Sequence, residues 1–329
     1  MSEKIAVIGS NSFSGAHFID YALEEGAEVI GISRSTEPNP IFLAYKKQQN
    51  PVFRFYQWDL NHDLEQIMSI IREFQPDYVV NFAAQSMVAE SWQHPEHWFQ
   101  SNVVATVKLH DQLRRCDFLR KYVHVSTPEV YGSFQGLVKE NTLYNPSTPY
   151  AVSRAAGDMS LMSFYKAYNF PVVLTRAANV YGPGQQLYRI IPRTILYFLI
   201  GEKLQLHGGG HSVRSFIHIR DVADGTLRVA QMGNPGEIYH FSTAQNISIR
   251  SLVQMIAEQM ELSFEDNVEN MAERMGKDVA YLLDSTKARE TLGWQDQISL
   301  EQGIEETVTW VKDNLDEIKK QPSDYIHKP

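Results

Sequence analysis

Gly9 and Gly15, with Ser12 between them, stand at the spacing Gly-x-x-Ser-x-x-Gly directly after the apolar run Ile5–Ile8. A glycine turn between a buried strand and a helix aims backbone N–H groups and the helix N-terminus at one point. That point binds the pyrophosphate of a dinucleotide. Ser12, Phe13 and Ser14 lie inside the turn and share the expected cofactor contact. Ser33-Arg34-Ser35 closes the next apolar run. An acidic residue there would hold the adenosine ribose of NAD. An arginine flanked by hydroxyls suits a 2′-phosphate, so NADP is favoured, with NAD the alternative. The pairs His94/His97 and His207/His211 have ligand spacing but no evident third ligand; they read as loop histidines, and no metal is expected. Cys116 ends a helical pattern and reads as an inert core thiol.

Such a turn needs a parallel sheet to hold it. The first half of the chain alternates strand and helix patterns at suitable lengths. Strands are expected over 5–8, 27–32, 52–57, 77–82, 121–126 and 171–175, and helices over 13–25, 64–74, 97–116 and 148–169. The second half is less regular. It carries a helix pattern over 189–199 and short strand patterns over 204–207, 215–219 and 237–242. Ser299-Leu300-Glu301-Gln302 has capping-box spacing and opens a last helix with Leu300, Ile304, Val308 and Val311 on one face. The expected class is α/β, a Rossmann-like doubly wound sheet with a smaller α/β substrate domain. Residues 1–176 with part of 212–245 would form the dinucleotide domain, and 177–211 with 246–329 the substrate domain.

Of the 329 residues, 43% are apolar and 21% charged, enough to build a sizeable core. A single cysteine excludes a disulfide framework. The net charge of −9 argues against nucleic-acid or anionic-membrane partners. No apolar run approaches the roughly 18 residues of a membrane span. The apolar run before Gly9 is only the four residues Ile5–Ile8, which does not fit a secretory signal, so a cytoplasmic setting is expected. Asn246-Ile247-Ser248 then reads as a chance glycosylation match.

Further motifs follow in order. Asp59-Leu60 comes after the third strand and Asn81-Phe82-Ala83-Ala84-Gln85-Ser86 after the fourth. Ser126-Thr127-Pro128-Glu129-Val130-Tyr131-Gly132 follows the fifth, and Tyr150-Ala151-Val152-Ser153-Arg154 opens a helix. The stretches 176–183 and 214–221 and Leu292-Gly293-Trp294 complete the series. Together they resemble the extended short-chain dehydrogenase/reductases that act on sugar nucleotides. Within these the chain is most similar to the nucleotide-sugar 4,6-dehydratases, of GDP-mannose or dTDP-glucose type, because Glu129 stands where those enzymes carry a base.

The resemblance implies a set of roles. Asp59, Leu60, Phe82, Ala83 and Ala84 would touch the cofactor, as would Tyr150 and Arg154. Gln85, Ser86, Asn179, Arg193, Leu206 and Arg214 would touch the substrate. Tyr150 would take the 4-hydroxyl proton during oxidation at C4, with Thr127 bonded to the same oxygen. Glu129 would remove the C5 proton, water would leave from C6, and hydride would return there. Arg34, Arg154, Arg176 and Arg214 would gather in one cleft of an acidic surface. The helices over 97–116 and 148–169 would form a four-helix bundle in a homodimer. Two positions depart from the pattern: Arg154 replaces the usual lysine, and Pro128 replaces the aspartate that helps protonate the leaving hydroxyl. They leave two alternatives: a 4-epimerase on the same scaffold, or a catalytically impaired binding protein.

Overall fold

Continuous apolar runs form the strands, because both faces of a parallel sheet are covered. The computed structural model describes residues 2–47, 52–134, 136–272 and 282–328. Strands β1 (Lys4–Ile8), β2 (Glu28–Ser33), β3 (Phe53–Gln57), β4 (Tyr78–Asn81) and β5 (Lys121–Val125) share one sheet with strands Val172–Ala177 and Ile238–Phe241. From one edge the order is 238–241, 172–177, β5, β4, β1, β2, β3, with every pair parallel. β1 lies between β2 and β4, so the winding reverses there and a crevice opens at its C-terminal end. The expected doubly wound α/β class holds.

Helices frame the sheet and the region beside it, among them α1 (Phe13–Glu24), α2 (Leu64–Phe74), α3 (Pro95–Phe99), α4 (Thr106–Leu113), α5 (Pro149–Tyr168), α6 (Ile190–Ile200), α7 (Ile219–Met232) and α8 (Ile249–Gln259). One sheet face is covered through Phe18, Ile19, Ala22, Val229 and Ala230 of α1 and α7. The other is covered through Ile67, Ile71, Leu109, Leu113 and Leu161 of α2, α4 and α5. A third apolar cluster joins α6, α8 and the helix Leu300–Asp313 through Ile191, Ile195, Leu252, Ile256, Ile304 and Val308.

Two local expectations are corrected. The single helix over 97–116 is broken into α3, a π turn at Gln100–Ala105, and α4. A π turn adds a residue to one loop of the helix without erasing its apolar spacing, so the sequence pattern runs through it. The strand over 215–219 is Phe216–His218, and Ile219 already starts α7, where the His218 ring accepts the Arg220 N–H.

Candidate active site

The glycine turn is fixed by close approach. Gly9 has φ +85°, and a Cβ there would lie 2.6 Å from the Ala83 nitrogen. A Cβ on Gly15 would lie 2.3 Å from the Gly9 carbonyl oxygen. Ser12, in place of a middle glycine, is the N-cap of α1. Its Oγ donates to the Gly9 carbonyl at 2.7 Å and accepts the Gly15 N–H at 3.0 Å. The bare backbone of Gly9 and the N-terminus of α1 therefore face the crevice at the end of β1, which fits a dinucleotide diphosphate. Phe13 is buried beneath the turn, edge-on to His17.

A cavity of about 350 Å³ occupies this crevice. Gly9, Ser12, Ser33, Arg34, Asp59, Leu60, Phe82, Ala83 and Ala84 line it, so these expected cofactor contacts from β1 to β4 converge, and the expected substrate residues Gln85 and Ser86 join them. Phe13, Ser14, Gly15, Tyr150 and Arg154 are not among its walls. At the β2 end, Asn11 Nδ2 donates to the Ser35 carbonyl at 2.9 Å, which pins the loop carrying Arg34. Asp59 accepts the Asn61 N–H at 2.8 Å, so its carboxylate shapes the turn after β3.

The segment after β4 is held from outside the sheet. Asn102, presented by the π turn and 1% exposed, accepts the Gln85 N–H at 2.9 Å and donates to the Gln85 carbonyl at 3.0 Å. The same amide reaches Ser153 Oγ on α5 at 2.9 Å. Asn102 thus ties the floor of the cavity to the helix that carries Tyr150 and Arg154.

The expected catalytic group meets at the end of β5. Thr127 caps a short turn at Pro128–Tyr131, and its Oγ1 accepts the Glu129 N–H at 3.3 Å. Pro128 is buried at the first position of that turn, where its missing N–H costs nothing. Tyr150, in the first turn of α5, is 8% exposed. Burial pushes its phenol above the usual range. The Arg154 charge and the Thr127 hydroxyl pull it down, and the Glu129 charge pushes it up.

Arg154 turns inward. Its Nη2 donates to the Val125 carbonyl and lies 3.4 Å from His124 Nε2. Burial, aided by the Arg154 charge, holds His124 neutral. Behind them Asp158 accepts from Ser126 Oγ at 2.5 Å and pairs with Arg176 at 2.8 Å. Arg176 is fully buried between the rings of Tyr131 and Tyr144, at 4.6 and 4.8 Å from their centroids. It is therefore not part of an open cationic cleft, because its charge is already matched by Asp158.

The family model for GDP-mannose 4,6 dehydratase matches residues 7–307. This chain belongs to the GDP-mannose 4,6-dehydratase family. It is 32% identical to a dTDP-glucose 4,6-dehydratase of Xanthomonas campestris pv. campestris, over 94% of this chain and 93% of that protein. It is similar to the structure of a dTDP-glucose 4,6-dehydratase from Streptomyces venezuelae with NAD bound, with TM-score 0.87 and 31% identity over 94% and 97% of the two chains. A UDP-glucose 4-epimerase from Thermotoga maritima, with UDP-glucose, gives TM-score 0.86 and 27% identity over 95% and 99%. The chain is accordingly an NAD(P)-dependent nucleotide-sugar 4,6-dehydratase. Among its described residues no helix is long and apolar enough to cross a membrane.

The remaining expected substrate residues of this dehydratase are spread around the third cluster. Asn179 Nδ2 donates to the Ser215 carbonyl at 3.0 Å, and Arg214 Nη1 donates to the Val213 carbonyl at 2.8 Å. The Leu206 side chain is 2% exposed and packs in the third core. Arg193 on α6 binds the Ser323 carbonyl at 3.0 Å and Asp324 at 2.7 Å. Sequence reasoning missed Asn102, and it missed Tyr325, Ile326 and Lys328, which line the cavity. Asn102 carries no motif, and the tail has no periodicity to mark it. Among the histidines, ligand atoms of His94, Glu96 and His97 lie within 4.8 Å of one another, while His207 Nδ1 lies 3.4 Å from the Ala272 carbonyl.

Proposed function

We propose that this dehydratase turns a nucleoside-diphosphate hexose into its 4-keto-6-deoxy product with Thr127, Glu129, Tyr150 and Arg154. The observation that carries the assignment is Glu129, a half-buried residue bonded through its backbone N–H to Thr127, whose charge acts on the Tyr150 phenol. Tyr150 takes the 4-hydroxyl proton while Thr127 holds the 4-oxygen. The bound nicotinamide supplies the hydride acceptor at C4 and the donor at C6. Glu129 then removes the C5 proton, made acidic by the 4-keto group. Pro128 has no proton to give, so Glu129 passes that proton to the departing C6 hydroxyl, which leaves as water; as hydride returns to C6, C5 takes a proton from solvent and Tyr150 releases the one it took from the 4-hydroxyl. Each positioned proton transfer contributes about 10²–10⁴ in rate.

Arg154 acts on Tyr150 as a fixed charge, anchored on the end of β5. Gly9, Ser12, Ser33, Arg34, Asp59 and Ala83 hold the dinucleotide, with NADP favoured by Arg34 and its flanking serines. Gln85, Ser86, Asn179, Arg193 and Arg214, with the Leu206 backbone, receive the nucleotide sugar. Residues 1–176 with part of 212–245 form the dinucleotide domain and 177–211 with 246–329 the substrate domain, a division that the third apolar cluster supports. A second copy covers Phe99, Val104, Val152, Met159 and Tyr168 on α3 to α5, which are 38–63% exposed. That surface fits a four-helix bundle between protomers, in a cytoplasmic enzyme.

Incubation with dTDP-glucose, GDP-mannose and UDP-glucose tests the reading. A product lighter by one water, absorbing in alkali as a 4-keto sugar, supports it. An isomer of unchanged mass would favour the epimerase instead. Binding without turnover of any of the three would leave only a binding role. Glu129→Gln is expected to stop water loss.

A further inference from the structure

A single backbone oxygen joins the two sides of the crevice. The Lys328 carbonyl accepts from Gln85 Nε2 at 2.6 Å and from Arg34 Nη2 at 3.1 Å. Arg34 follows β2 and Gln85 follows β4, and β1 lies between those strands. A group held by both must pass over the C-terminal end of β1, where the Gly9 turn faces the crevice. Tyr325, Ile326 and Lys328 accordingly line the cavity whose other wall is the glycine turn. The Lys328 ammonium lies 3.3 Å from Ser35 Oγ, beside Arg34.

The tail is anchored on both sides of this crossing. Upstream, Arg193 holds the Ser323 carbonyl and the Asp324 carboxylate, and the Tyr325 ring meets Tyr188 edge-on at 5.5 Å. Next to Lys328, the His327 ring stacks on buried Trp98 at 5.1 Å and 8°, and on His97 at 5.1 Å and 14°. His327 Nε2 also lies 2.9 Å from His97 Nδ1. These rings hold the tail to α3, which leads through the π turn to Asn102 and so to Gln85.

We propose that residues 323–328 are a binding element of the cofactor site, forming a roof over the dinucleotide, with His327 as its clasp. This rests on the reading of the crevice as the dinucleotide site. A redox-neutral cycle, in which hydride leaves and returns within one turnover, lets the cofactor stay in place, so a roof does not obstruct catalysis. Exchange of the cofactor requires the Lys328 carbonyl to leave Arg34 and Gln85, and the His327 ring to leave Trp98 and His97.

The test is the rate at which the full chain takes up and releases a fluorescent etheno-analogue of NADP, followed by stopped flow and by chase with unlabelled NADP. Release and uptake are both expected to quicken at least tenfold in His327→Ala and in a chain ending after Gln321. The alanine variant keeps the test open if the shortened chain does not fold. Release within twofold of the parent in His327→Ala overturns the roof, whatever the dehydratase activity. Failure of the parent to take up either this probe or the etheno-analogue of NAD overturns both the roof and the dinucleotide reading, which separates the two.

Discussion

Asn102 holds Gln85 by both of its backbone groups, accepting from its N–H and donating to its carbonyl from a turn that is neither strand nor ordinary α-helix. Asn102→Ala would leave two buried backbone groups unpaired, at a cost of roughly 2–3 kcal/mol. A fall in Tm of several degrees is expected. The loss in kcat/KM should exceed what stability explains, because Gln85 lines the cavity. Asn102→Asp keeps the acceptor and should retain more of both. Thermal unfolding and steady-state kinetics of the pair decide it; equal activity in the alanine variant would refute the link.

Arg154 and Tyr150 make a second prediction. Burial raises the Tyr150 phenol and the Arg154 charge opposes that rise. Without the charge, the phenolate forms only at higher pH. In Arg154→Ala the rising limb of kcat/KM against pH is expected to move to higher pH. Arg154→Lys should shift it less, since a cation remains. A profile that only drops in height, with its limb unmoved, would mean that Arg154 serves structure alone.

Arg34 can be separated from both. In Arg34→Ala the preference for NADP over NAD should fall at least tenfold, the loss of roughly one charge-assisted contact of 1.5–3 kcal/mol. Equilibrium binding of the two cofactors is the measurement, and an unchanged ratio removes the 2′-phosphate argument.

Acid should unfold this protein through its buried histidines. Burial lowers His110 and His218 to about 4, and both are almost inaccessible. Their unfolded value is about 6.5. The unfolded chain therefore binds protons that the fold refuses. The stability they contribute is complete above pH 6.5 and is lost as the pH falls towards 4, on the order of 2 kcal/mol each at pH 5. Denaturant unfolding of His110→Gln at pH 7.5 and pH 5 should show a smaller difference than the parent; an identical difference would contradict the assignment.

The sheet and the cofactor side of the site were legible because their signals are local. A strand buried on both faces is an unbroken apolar run, and the glycine turn is written within seven consecutive residues. Arg34, Asp59 and Ala83 follow within two residues of their strands, so recognising the strands located the residues. The rest depends on partners distant in sequence. Arg176 reads as a free cation until Asp158 and two tyrosine rings surround it. Arg154 reads as a lysine substitute until the Val125 carbonyl turns it inward. The π turn hides inside a helical pattern, and Lys328 gains meaning only from Arg34 and Gln85.

The order of strands has a cost in assembly. Ile5 lies beside Tyr78, and Leu174 lies between His124 and Ile238, so each pairing closes a long loop before it gains any contact. After Ala177 the chain leaves the sheet to build α6, and it returns only at Ile238. Until then the strand Val172–Ala177 is an open edge of buried-type residues, which can capture the same strand of another chain. Refolding should therefore be slow and sensitive to concentration, with aggregation competing at this edge.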